Sequence, residues 1–293
     1  MITGIESGNG TASAVRVVST GGRVLDGGDT RLDVIADTAP AAKFTVAGLL
    51  GVGSDGNPLD VRVRDLNASS VQGSVALAAV GGVNIEAVSA GDAVQITADG
   101  DITGQSVTST GAGTQGMDKS VSVASTGGSV TLDSVTGTGP VNVDGQTGVD
   151  VNSVESTGGS VVLNSNAGNV VVDTTRAQQD VTMTAAAGTV TAGSTTATGG
   201  NVNLSALGDI EATTTVAGGT AQVTSAAGHV RLGSLTARGD VSVAGQGGVA
   251  AHQLERVLAT TGKCCRRSTS TRSVRGSARS CARRRRKPSA RSW

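Results

Sequence analysis

Acidic residues recur at a fixed interval in this chain, and regularly spaced carboxylates are a possible starting point for hydrolase or lyase chemistry. Three residues after the first apolar residue of successive short segments stand Glu86, Gln105, Asp133, Asn152 and Asp173. Gly193, Thr213, Gly233 and His252 continue the column. Paired acids divide the acid and base roles only when a groove holds them together with a base or a metal. Here acids alternate with amides, at a turn, and the pattern predicts a solvated ladder. A calcium role would be signalled by the nonapeptide G-G-x-G-x-D-x, which is absent. His229 and His252 have no clustered partner and read as surface histidines. Gly51, Gly53 and Gly56 in "GVGSDG" match G-x-G-x-x-G, but a dinucleotide site needs a helix next. The next residues, "NPLDVRVRDL", alternate like a strand, so a glycine-rich turn is expected. Asn9, Asn67 and Asn203 begin glycosylation sequons of a kind that chance supplies in a Ser- and Thr-rich chain. The threonines of "TTATGG" (195–200) do not repeat as a strict Thr-x-Thr in every unit, which argues against an ice-binding face. No catalytic, cofactor-binding or metal-binding residue is assigned, no cofactor is expected, and the chain is expected not to be an enzyme.

The elements that carry these residues are written in a repeat. The first apolar residues of one strand set are Val83, Ile102, Val130, Val149, Val170, Val190, Ile210, Val230 and Val249. A second set runs Val75, Val94, Val121, Val141, Val161, Val181, Val202, Ala221 and Val241. Both sets have a period near 20, broken at one place by an insertion of about eight residues near "STGAGTQGM" (109–117). A fixed period of this size is the mark of a solenoid. Each unit offers three apolar stretches with period-two alternation and no helical period. The third holds Val88, Val107, Val135, Val154, Thr175, Thr195, Thr215, Leu235 and Leu254. One such coil cannot bury its apolar face alone, but stacked coils place like residues over like. The expected fold is all-β: a single-stranded parallel β-helix with coils of about 20 residues. Val24, Phe44, Val63 and Val83 suggest that it continues upstream, with a looser stretch at 47–58.

Composition agrees. The 293 residues include one Phe, one Trp and no Tyr, with 44 Gly and 4 Pro. A core of small aliphatic side chains in a narrow interior accounts for this. The net charge of zero conceals a split: residues 1–255 carry 10 basic and 23 acidic residues, a balance of −13, and residues 256–293 carry 13 basic and none acidic. Cys264, Cys265 and Cys281 all lie in that second part. The expected organisation is therefore 1–72, an N-terminal part of the β-helix in looser register; 73–255, regular repeats; and 256–293, a basic, disordered tail. The abrupt change of text favours a frame-shifted origin for that tail over a basic arm or a genuine nucleic-acid binder. No basic-then-apolar leader is legible at the start, and no apolar run approaches the roughly 20 residues of a membrane span. This predicts either a cytosolic protein or a fragment of a longer one.

The run "GSVTLDSVTGTGPVNVDGQTGVDVNSVESTGGSVVLNSNAGNVVVDTT" (128–175) resembles the repeats of filamentous-haemagglutinin-type adhesins. "LLGVGSDGNPLDVRVRDLNASSVQGSVAL" (49–77) is similar to a spacer in the same proteins. The likeness spans about residues 45–254. It implies a fragment of a large exoprotein, secreted by the two-partner or autotransporter route and displayed at the bacterial cell surface. The implied partners are an outer-membrane transporter and receptors on host or bacterial surfaces, met through the full-length protein. No receptor-binding residue carries over. With so few aromatics to stack on sugar rings, the expected role is a shaft that extends and displays rather than a tip that binds. The alternatives are a β-helical polysaccharide lyase or hydrolase and nucleic-acid binding through the tail, the latter not expected.

Overall fold

The structure, a computed structural model, describes residues 1–2, 4–9, 14–28, 31–37, 42–113 and 119–257. Residues 258–293 of the basic tail, with all three cysteines, as well as Thr11 and residues 114–117 of the 109–117 insertion, lie outside the described residues.

Alternation of apolar and polar residues produces short strands with one buried and one solvated face. Val121–Ser125, Val141–Gly145, Val161–Ser165 and Val181–Ala185 all show the same buried–intermediate alternation. These five-residue strands belong to a sheet of fourteen strands that ends at Val241–Gly245. A second sheet holds twelve strands, from Val15–Ser19 to Gly248–Arg256, most of them eight or nine residues long in the regular region. The chain passes from one sheet to the other and back in every turn. The result is a parallel β-solenoid of about ten turns with roughly 20 residues per turn and, among the described residues, no helix.

The register stacks like on like. Val123 pairs with Val143, Val143 with Leu163, Leu163 with Met183, and Met183 with Leu204. On the other sheet Val130 pairs with Val149, Val149 with Val170, and Val170 with Val190. All of these are buried. Each fully buried Val or Leu contributes about 1.5–3 kcal/mol relative to an exposed one. Such stacking leaves no space for large rings, and the only core aromatic among the described residues is Phe44, near the N-terminal end.

The three apolar stretches of each unit form two strands. The second and third stretches run on as one, as in Ser129–Gly137, where Val130 and Leu132 face inward and then Val135 and Gly137. The inward parity changes at Asp133, which the ladder skips on both sides: Leu132 pairs with Val151 and Ser134 with Ser153. A one-residue irregularity of this kind bends a strand, and here it makes the third corner of the coil.

The insertion is absorbed between Ile102–Ser109 and Val121–Ser125, leaving register intact on either side: Val94 pairs with Val121 and Ile102 with Val130. Among the described residues no helix is long and apolar enough to cross a membrane.

Upstream, the solenoid continues but along a different column. Val24 pairs with Val52, Val63 with Ala36, and Phe44 with both Val15 and Leu66. The real inward column is therefore Val15, Phe44, Leu66 and Ile85, and the near-20 spacing of Val24, Phe44, Val63 and Val83 is a coincidence. The physical reason is that the short strand of each early coil is interrupted. Arg23–Val24 and Val34–Ala36 flank one excursion, and Gly51–Val52 and Leu59–Val63 flank the next. Both pieces of the second coil join the single strand Val75–Ala79. These added residues change the length of the coil without changing its stacking.

Candidate functional site

The acid–amide column occupies the corner created by the parity change. Glu86, Gln105, Asp133, Asn152 and Asp173 are each skipped by the ladder on the long-strand sheet, as are Gly193, Thr213, Gly233 and His252. Three of these side chains, those of Glu86, Asp133 and Asn152, bond along the solenoid. The Asn152 amide donates to Asp133 Oδ1 at 3.1 Å, and Lys43 from an earlier coil forms an ion pair with Glu86. The column thus lies on one edge, solvated, as its alternation with amides predicts.

A second polar ladder spans the turns between sheets, where an Asx side chain of one coil accepts from a backbone N–H of the next. Asp101 Oδ1 accepts from the Ser129 N–H at 2.7 Å and its hydroxyl at 3.0 Å. Asn169 accepts from the Thr189 N–H at 2.9 Å, and Asp209 from the His229 N–H at 2.7 Å. At the other turn, Asp180 accepts from the Asn201 N–H at 2.7 Å and Asn201 from the Thr220 N–H at 2.8 Å. Hydrogen bonding to the charged form stabilises it. The Ser129 N–H, helped by its hydroxyl, holds the Asp101 carboxyl below its ordinary value of 3.8. The His229 N–H and the Arg231 guanidinium do the same for Asp209. His229 also lies with its Nδ1 3.5 Å from Asp209 Oδ1, on the surface.

A third recurring device was missed from the sequence, although its text is plain: Ser-x-x-Gly at the ends of strands. The Ser156 Oγ accepts from the Gly159 N–H at 2.9 Å and donates to the Gly139 carbonyl of the preceding coil at 2.7 Å. Ser125 does this with Gly128 and Gly100, and Ser225 with Gly228 and Gly208. The glycine is required by close approach: a Cβ on Gly159 would lie 2.5 Å from the Pro140 nitrogen. Searching for chemistry, rather than for side chains that close turns, passes over this motif.

Gly51 lies on the strand Gly51–Val52, and Gly53 and Gly56 belong to the turn that leads on to the strand Leu59–Val63, not to a helix. Gly53 has φ of 61°, and a Cβ there would lie 2.2 Å from the Ala76 carbonyl oxygen. Beside it is an open groove of about 280 Å³ whose lining includes Arg23, Ser54, Asp55, Ser74 and Gln95. Leu50, Val75 and Val94 also line that groove, whereas a trough of about 260 Å³ between Asp180, Asn201 and Thr220 is mainly polar. Neither contains a member of the acid column. Asn67 and Asn203 lie on strands, Asp65–Ser70 and Val202–Ala206.

The hydroxyls are more ordered than the sequence suggested. Seven from Ser106 to Ser234 pair in register along the outer side of the long strands. The column two residues on is interrupted by Glu155, Arg176 and Val216, so no continuous Thr-x-Thr plane exists. Inside, Thr175, Thr195 and Thr215 stack in register, fully buried, with hydroxyls that have no hydrogen-bond partner. Two acids of the early coils, Asp26 and Asp33, are also buried. Desolvation, with the nearby Asp26 carboxylate adding to it, pushes Asp33 up to about 6 against a bond from the Asp60 N–H. Asp92 is fully buried, and neither of its oxygens has a hydrogen-bond partner among the described residues. Among the described residues no three His, Cys, Asp or Glu side chains group so as to hold a metal ion.

No family model, no curated protein and no solved structure matches this chain.

Proposed function

We propose that this chain is a structural shaft: a segment of a large secreted or surface-displayed bacterial adhesin that extends and displays binding regions lying elsewhere in the whole protein. One observation carries the reading. The polar side chains that recur along the solenoid bond from one coil to the next, through the Asx and Ser-x-x-Gly ladders. Groups committed in this way lock turn to turn and make a stiff rod, about 50 Å long for ten coils at about 4.8 Å each. The resemblance of residues 128–175 to filamentous-haemagglutinin-type repeats supplies the biological setting, with export through an outer-membrane transporter.

The test is to graft a carbohydrate-binding domain onto one end of the chain, tether the other to a bead, and measure the reach of adhesion to a glycan surface. A shaft extends the reach by about its own length and shows no saturable binding without the graft. Incubation of the same protein with acidic polysaccharides leaves their viscosity unchanged. Turnover of a polysaccharide, or saturable binding of the ungrafted chain to cells, would overturn the proposal.

A further inference from the structure

Buried apolar columns run the length of this protein, and at both ends they stop in the open. Among the described residues, the apolar side chains that pack against the core while staying partly exposed lie in the first or the last coil alone. Ile2, Ile5 and Val17 are at one end, and Val241, Val243 and Ala251 at the other. Val249 and Leu254, also in the last coil, are each 40% exposed. The residues they pair with one coil earlier, Val230 and Leu235, are fully buried. The strands Val241–Gly245 and Gly248–Arg256 end their sheets and pair on one side only, as Ile5–Glu6 and Val15–Ser19 do at the other end. A sheet edge carries a row of unpaired N–H and C=O groups that can template another strand. Here that edge borders an apolar face built from the same columns as every coil–coil interface in the molecule.

We propose that the last coil of one copy docks on the first coil of a second copy, head to tail, so that the solenoid continues from chain to chain. The register argues for this occupant. On the long-strand sheet one column runs from Val15 through Phe44, Leu66 and Ile85 to Leu232 and Ala251. A second runs from Val17 through Val46, Ala68 and Val88 to Leu235 and Leu254. Continuing both columns places Val15 of the next copy over Ala251 and Val17 over Leu254, apolar on apolar each time. The two strands differ by one corner residue, His252. The molecule already makes such a join, where Leu66 and Ala68 pair with Ile85 and Val88 across the same one-residue shift. On the outer side Arg16 falls beside Gln253, with no like charge opposed. Arg256, the one charge at an inward position of the last strand, is held by Asp240 at 3.0 Å. A joint between unlike ends does not close on itself, so it grows an open filament. With about ten turns per chain, each copy adds about 50 Å at about 4.8 Å per coil. Such a joint would lengthen the shaft proposed above; its purpose rests on that reading, and its geometry does not.

Sedimentation velocity and light scattering of the full chain, over a wide range of concentration, measure the assembly. The weight-average mass should rise past twice that of one chain without a plateau, and the particles should lengthen without thickening. Leu254→Lys in the last coil and Val17→Lys in the first should each leave a monomer, with the circular dichroism and unfolding temperature of the wild type. Should either not fold, Val249→Lys or Ile5→Lys takes its place. Mixed together, the two variants should form a complex of one copy of each and stop there, because one keeps a working first coil and the other a working last coil. Val216→Lys, at a position 38% exposed on the side of the rod, should assemble as the wild type does. A wild-type chain that stays monomeric at every concentration, as it would if residues 258–293 covered the last coil, would overturn the proposal. So would a mass that stops at the dimer, which means that like ends meet. Loss of assembly in Val216→Lys would overturn it too, since copies would then be pairing side by side. None of these outcomes bears on the reach of a single tethered chain, so the shaft reading stands or falls separately.

Discussion

At the scale of single residues, inward and outward positions make opposite demands. Val143 is fully buried between Val123 and Leu163. Val143→Asp places an unpaired charge in a dry column and should cost about 3–5 kcal/mol. The outward partner for comparison is Thr131. It pairs in register with Asp150, so Thr131→Lys, which meets an opposite charge, is a better control than a second acid. Its effect should lie within about 0.5 kcal/mol. Chemical denaturation of both variants checks the assignment, and equal losses would mean that the faces are reversed. The stacked threonines give a prediction of opposite sign. Thr195 is fully buried and its hydroxyl is unsatisfied, while valine has nearly the same shape. Removing an orphaned polar group gains back its desolvation penalty. Thr195→Val should therefore stabilise the protein by about 1 kcal/mol, read as a higher denaturation midpoint at unchanged slope. Their inward position was legible from the spacing, since Thr175, Thr195 and Thr215 fall in the column of Val135 and Val154. That their hydroxyls have no partner was not legible, because it depends on which carbonyls the neighbouring coil offers.

At the scale of elements, the strands follow from alternation, and the corners from hydrogen bonds that alternation does not describe. The period located every strand in the regular region. It did not separate two strands from three, because a skipped residue such as Asp133 looks the same in the sequence as a turn. Upstream, the excursions at 26–33 and 53–58 defeated the fixed interval, and a false column built on Val24 and Val63 resulted. The Asx ladder also carries a pH dependence. Asp101 is held below 3.8 by bonds from the Ser129 N–H and hydroxyl, so the unfolded chain takes up its proton first. The contribution of this carboxylate is present above about pH 4 and is lost as pH falls through the lower, folded value. Asp101→Asn keeps an acceptor oxygen, as Asn169 does in the same ladder, but removes the titration. Unfolding temperatures of wild type and variant should therefore differ most near neutral pH and converge as pH falls below about 4. The other carboxylates titrate in both proteins and cancel in the difference. A gap that stays constant down to acid pH would mean that the Ser129 bonds do not favour the charged form.

At the scale of the whole molecule, the repeat itself is the structural rule, and the length of a turn is the unit in which the chain tolerates change. Solenoid coils touch only their neighbours, so stability is approximately a sum over coils and their interfaces. Columns of like residues make any two regular coils compatible. Val141 pairs with Val161 and Val161 with Val181, and Val143, Leu163 and Met183 form the next column inward. Deleting residues 161–180 removes one strand from each sheet and brings Ser160 to Val181. It places Val181 over Val141 and Met183 over Val143, with the same apolar faces inward. Deleting only 161–170 removes half a turn. The next strand then reaches the wrong sheet, and Asp173 takes the buried position of Leu163, over Val143. A shift in strand pairing of this kind sends a whole apolar set to the wrong face. The full-turn deletion should keep a β-rich circular dichroism spectrum and one cooperative unfolding transition, with a loss of no more than about one coil interface. Its scattering profile should correspond to a rod shorter by about 4.8 Å. The half-turn deletion should lose cooperative unfolding and aggregate, since it exposes unpaired strand edges. If both deletions fold equally well, stacking does not depend on these columns. If both fail, the coils are coupled beyond nearest neighbours and the one-dimensional description is wrong.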